Sequence, residues 1–235
     1  MIKMYASRWK FKLLKNCRIN FIPLSTISNI DVKKDLERTY PKVEWFKQHQ
    51  LELSNIIMNF VEMNPALSYM QGMCFITYTL FYVFRHSDFR ACETLYCLHK
   101  IVEPIRPIYP LDMNDTKPLE FIKSTAKIIL LKINKENKKL AKALNMEMVK
   151  LFIISGFPSF FGSWYDLEDT IHLYDMLIDN TSAKILSNMI NFLTCFFIYH
   201  REIIMKSTFT QKMHILQEKG NLKQILILMK SKKYK

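Results

Sequence analysis

The chain has 235 residues, about half of them apolar, with only four glycines (Gly72, Gly156, Gly162 and Gly220) and a formal net charge of +13. That length suits one large domain or two small ones, and so little glycine argues against a sheet protein built of hairpins. Neither G-x-G-x-x-G nor G-x-x-x-x-G-K occurs, which excludes the common nucleotide-binding loops, and the basic residues are spread along the chain rather than gathered with aromatics, which disfavours a nucleic-acid stripe.

In chain order, Ala6 to Lys15 reads as a short helix with Phe11, Leu13 and Leu14 as its apolar positions. Asp31 is a candidate cap for a helix carrying Lys34, Asp35 and Arg38, which Pro41 ends. From Val43 to Met63 apolar residues recur at helical spacing. Asn64-Pro65 marks a turn, because the residue before proline is pushed out of helical geometry. The run Gln71 to Phe84 carries no charge and predicts a buried helix ending near Arg85. Asp88 is a candidate cap for the next helix, with Cys92, Leu95, Leu98 and Val102 on its apolar side. Pro104, Pro107 and Pro110 make an irregular connection.

Further on, Pro118 to Ile133 and Lys135 to Leu144 predict a helical pair jointed at Asn134, followed by Met146 to Ser155, Leu167 to Ile178 and Ser182 to His200. The last stretch, 206 to 235, holds eight lysines and one acid, Glu218. Within it Leu222, Ile225, Leu226, Leu228 and Met229 predict one more amphipathic helix. No period-2 alternation supports a strand. The expected architecture is a single compact all-α domain over 1–235, with 206–235 a basic helical tail.

Five cysteines without a C-x-x-C pair, and a lysine-studded N-terminus with no apolar signal core, point to a reducing, cytoplasmic setting. The two longest uncharged runs fall short of the ~20 apolar residues a membrane span needs. No histidine pair has metal-ligand spacing, so no metal site is expected.

Two phrases stand out. Asp35 and Arg38 are three residues apart and so share a helix face, and Thr39-Tyr40-Pro41 follows at once. Tyr69-x-Gln71-Gly72-Met73 delivers a polar amide to the mouth of the uncharged helix. An arginine held by a carboxylate has a fixed aim and a fork that matches phosphate oxygens, and a glutamine amide both donates and accepts, so it can orient a water. Arginine plus glutamine is the pair that GTP hydrolysis uses.

Val32-x-x-Asp35-x-x-Arg38-Thr39-Tyr40-Pro41 resembles the I-x-x-D-x-x-R-T-F-P motif of TBC-domain Rab GTPase-activating proteins, and Tyr69-x-Gln71-Gly72-Met73 resembles the Y-x-Q-G-M motif of the same family. Leu167 and Leu173-Tyr174-Asp175 look like its third block, L-P…R-I-W-D, and Arg8-x-x-Phe11-x-x-Leu14 its opening helix. The resemblance implies an all-helical activator acting in trans on a Rab-type small GTPase in its GTP form. Arg38 would be the arginine finger and Gln71 the glutamine finger. Asp35 would hold Arg38, with Thr39 beside it, while Tyr69 and Gly72 would shape the Gln71 loop. GTP and Mg²⁺ would be carried by the partner, with no cofactor of the chain's own.

This sequence departs from the family pattern at Val32, Tyr40, Ser68 (where glycine is common), His172 and Tyr174. Ser68 is expected to stiffen the loop, and the last two bear on which Rab is bound. The rival readings are a catalytically weak GTPase-binding effector or scaffold and a basic nucleic-acid module; no nucleic-acid partner is expected. Weak attraction of the lysine-rich tail to anionic endomembranes is expected as well.

Overall fold

The computed structural model describes residues 2–15, 29–112, 114–208, 211 and 220–232. Among them every regular element is a helix: α1 (Ile2–Leu14), α2 (Ile30–Arg38), α3 (Glu44–Lys47), α4 (Gln50–Glu62), α5 (Gly72–Val83), α6 (Arg90–Val102), α7 (Lys117–Glu136), α8 (Lys138–Leu144), α9 (Met146–Gly156), α10 (Leu167–Leu177), α11 (Ser182–Tyr199), α12 (Arg201–Lys206) and α13 (Leu222–Lys232). Tighter 3₁₀ turns lie at Glu103–Ile108, Phe157–Ser159 and Gly162–Trp164. Of the five cysteines, Cys17 lies outside the described residues; Cys74, Cys92, Cys97 and Cys195 are buried and take part in no disulfide among the described residues.

The uncharged α5 is the centre of the molecule. From Met73 to Val83 only Phe75 and Tyr82 are not buried, and α1, α2, α4, α6 and α10 all pack on it. A helix apolar all round can only be a core helix, so the rest of the chain is arranged as its cover. On the far side, α11 and the α7–α9 pair form a second part of the same core, with Phe152, Phe161, Trp164, Phe192, Phe196 and Phe197 in mutual ring contact.

Several boundaries differ from the sequence expectation. Asn29, not Asp31, caps α2: its side chain accepts from the backbone N–H of Asp31 and Val32. The stretch 43–63 is two helices rather than one. It breaks at Gln48 and His49 because Phe46 is buried against Tyr78, while Trp45 packs on His49 and Phe81. At α6, Asp88 makes no cap; the Ser87 hydroxyl accepts from the Phe89 N–H at 3.3 Å instead. The joint of the α7–α8 pair falls at Asn137, whose side chain accepts from Leu140 N–H, and Asn134 lies inside α7. In α1 the deeply buried aromatic is Trp9, while Phe11 is 63% exposed, so the aromatic of the opening motif is one step from where the pattern suggested.

The C-terminal stretch is more than a tail. α13 buries Leu222, Ile225 and Met229 and packs on α10 and α11, while Lys223 and Lys230 face outward.

Candidate functional site

The site begins with the docking of α2. Val32 and Leu36 are buried on one side of the helix, and the Tyr78 hydroxyl of α5 donates to the Leu36 carbonyl at 2.9 Å. The end of α2 is therefore fixed to the core helix. The Thr39 hydroxyl closes the last turn by donating to the Asp35 carbonyl at 2.6 Å. Next comes Tyr40 with φ 46°, a conformation that a bulky residue adopts only when its surroundings enforce it. Here they do: its hydroxyl reaches Thr170 (3.1 Å), the Gly162 carbonyl (3.2 Å) and Thr79 (3.4 Å). Burial pushes this phenol up to about 12, so it stays a neutral partner in that cluster.

With the backbone so held, Asp35 is buried and Arg38 is not. The Arg38 guanidinium is paired with Asp35 Oδ1, and 62% of the Arg38 side chain remains exposed. The other carboxylate oxygen, Oδ2, accepts from the Tyr69 hydroxyl at 2.7 Å. One buried carboxylate thus joins the two phrases that the sequence singled out. Tyr69 also contacts the Cys74 sulfur at 3.1 Å. Burial first, then the Cys74 and Asp35 neighbours, hold its phenol well above the usual range, which keeps it a donor to Asp35.

Gln71 stands at the tip of α5. It is exposed and does not cap the helix it begins. Gly72 follows for a reason internal to the fold. A Cβ there would lie 2.3 Å from the Pro158 carbonyl oxygen and 2.8 Å from Ser159 N. The close approach that requires glycine here is made by the protein's own 157–159 turn. That turn is itself strained, with Phe160 and Phe161 at φ 52° and 63°.

The loop before Gln71 is tied down along its length. The Asn64 side chain donates to Phe60 O (2.6 Å) and accepts from Arg106 (2.8 Å). Both donors of Ser68, backbone N–H (3.1 Å) and hydroxyl (2.6 Å), reach the Pro110 carbonyl. Ser68, expected to stiffen the loop, thus has a bonding partner that the spacing of the sequence alone could not supply.

The model of the Rab-GTPase-TBC domain matches residues 5–205. The chain belongs to that family. Its fold is also similar to that in the crystal structure of the Ypt/Rab-GAP domain of Gyp1p, with a TM-score of 0.66 and 16% identity over 97% of this chain and 79% of that one. No curated protein matches the chain.

In this TBC domain the third block is a fastening between chain ends. Asp175 on α10 pairs with Arg8 and accepts from Trp9 Nε1 at 3.1 Å, both on α1. His172 Nδ1 is 2.8 Å from the Tyr5 hydroxyl. Tyr174 is fully buried and donates to Ser159 O at 2.8 Å. Both departures make contacts within the domain, Tyr174 fully buried and His172 half-buried. Among the described residues, no helix is long and apolar enough to cross a membrane.

Proposed function

We propose that this TBC domain stimulates GTP hydrolysis on a Rab-type small GTPase in its GTP form, using Arg38 and Gln71 as fingers. The observation that carries the reading is the Asp35 carboxylate, which aims an exposed Arg38 with one oxygen and holds the Gln71 loop through Tyr69 with the other. Arg38 neutralises the charge that develops on the transferring phosphoryl oxygens, and Gln71 orients the attacking water. Thr39 and Gly72 act from behind, one closing the α2 turn and the other seating α5. The nucleotide and its Mg²⁺ arrive with the partner, and the domain brings no cofactor. In this reading it works in the cytoplasm and visits endomembranes, where outward lysines such as Lys223 and Lys230 add weak attraction to anionic lipid.

Single-turnover hydrolysis across a panel of GTP-loaded Rabs tests the proposal. At least one Rab is expected to be accelerated by the wild type and not by Gln71→Ala. That same Rab, with its own water-orienting glutamine changed to alanine, is expected to remain responsive, because Gln71 takes over that role from outside. A domain that binds GTP-loaded Rabs yet accelerates none is an effector or scaffold, and the finger assignment is then wrong.

A further inference from the structure

The segment from Asn64 to Gln71 has no helix of its own and lies along a shelf made of two irregular stretches, 103–110 and 157–159. Arg106 holds Asn64 at the start of the segment. Pro110 receives both donors of Ser68 in its middle. The Tyr109 hydroxyl donates to the Pro158 carbonyl at 2.8 Å, the same carbonyl against which Gly72 sits. The proline-rich connection after α6 is thus bonded, directly or through Pro158, to the beginning, the middle and the end of the segment that presents Gln71.

We propose that Ser68 is a positioning residue for Gln71: by fixing the middle of this segment on the Pro110 carbonyl, it sets where the Gln71 amide stands when a GTPase docks. This rests on the reading of Gln71 as the glutamine finger. Between Ser68 and Gln71 the chain has little freedom, since Tyr69 is bonded to Asp35 and Gly72 abuts the 157–159 backbone. Without the Ser68 hydroxyl, the middle of the segment is held by the Ser68 backbone bond and by buried Leu67, whose N–H reaches the Asn64 carbonyl at 3.1 Å. With Tyr69 and Gly72 held on either side of Gln71, a shift of the segment at Ser68 reaches the amide as a small displacement. Misplacement by about 1 Å can cost on the order of 10²-fold in rate, so a modest loosening is expected to be visible.

The probe is the panel Rab that the wild-type domain accelerates most, loaded with GTP. Ser68→Ala removes the 2.6 Å hydroxyl bond and leaves the weaker backbone one. The expected result is a fall in kcat of on the order of ten-fold with KM and melting temperature unchanged, and recovery in Ser68→Thr, which keeps the hydroxyl. Amide hydrogen exchange over 64–71 is expected to quicken while α5 keeps its protection. In a Gln71→Ala background, Ser68→Ala is expected to lower the residual rate no further, because Ser68 acts only through Gln71. Full kcat in Ser68→Ala, or an equal loss in both backgrounds, overturns the positioning role while the finger assignment stands. Full activity of Gln71→Ala by itself overturns the finger assignment and this inference with it.

Discussion

Two aspartates in this domain do the same local job with opposite consequences. Asp35 and Asp175 each bind an arginine with one oxygen and an aromatic side chain with the other: Arg38 and Tyr69 in the first case, Arg8 and Trp9 in the second. At Asp35 the arginine lies three residues away on the same helix, and most of it is exposed. Holding it adds little to the fold, since most of the arginine stands in solvent, where its charge is screened. At Asp175 the partners come from the other end of the chain, so the same geometry closes the domain. Trp9, fully buried between them, makes that closure part of the core. An identical pairing thus leaves its arginine presented to solvent in one place and fastens two distant helices in the other.

The sharpest way to test this contrast is at Arg38. Arg38→Ala, and also Arg38→Lys, are expected to lower the stimulated rate by roughly 10³- to 10⁵-fold, lysine failing because it lacks the planar fork. The melting temperature should stay at the wild-type value. A variant that keeps full rate removes Arg38 from the chemistry.

Ending the chain after residue 219 removes α13 and with it the burial of Leu222, Ile225 and Met229, each worth roughly 1.5–3 kcal/mol. Chemical denaturation should show a large loss of stability even though the family match stops at residue 205; an unchanged midpoint would make α13 a mere appendage. Gly72→Ala separates helix propensity from packing. In an open helix it would gain ~0.5–1 kcal/mol, but here the new Cβ meets backbone at 2.3 Å. Forcing it in is expected to cost about 1–3 kcal/mol and to displace Gln71, so that activity falls further than stability. Equal stability and activity in this variant would show that the 157–159 turn yields freely.

On the fastening side, Asp175→Asn is expected to destabilise by about 1–3 kcal/mol while leaving the stimulated rate per folded molecule unchanged, the mirror image of Arg38→Ala. The smallest effect concerns His200, at the junction of α11 and α12. Burial lowers its pKa to about 4, and its Nε2 finds no hydrogen-bond partner among the described residues. A histidine that the fold keeps neutral contributes stability that is complete above its unfolded pKa of ~6.5. That contribution is lost as pH falls from there toward about 4. His200→Gln should flatten this acid slope of stability, and a slope identical to wild type would assign it to other groups.

Much of this was legible in the sequence. The uncharged run 72–83 announced the central helix, and the D-x-x-R and Y-x-Q-G phrases singled out two segments that the fold joins through Asp35, because charge exclusion and motif spacing are local properties. What escaped was set by contacts distant in the chain. Nothing near Gln48 marks a helix break; Phe46 and Trp45 reach toward α5 and bend the chain there. The packing that demands glycine at position 72 is invisible locally, because the turn that presses on it lies more than eighty residues further along. The clue to Trp9 was available, since it stands one helical turn from both Tyr5 and Leu13, but the arginine at position 8 drew the register toward Phe11. Ser68 showed only as a substitution, its carbonyl partner hidden in a stretch that reads as an unstructured proline run.

The fastening between α1 and α10 also bears on how the domain is made. Arg8 and Trp9 emerge from the ribosome some 165 residues before the aspartate that completes them. At roughly 5–20 residues per second that is an interval on the order of ten to thirty seconds. The helices α5 and α6 cover α1 well before then, so what waits on α10 is the pairing of Arg8 and Trp9 with Asp175.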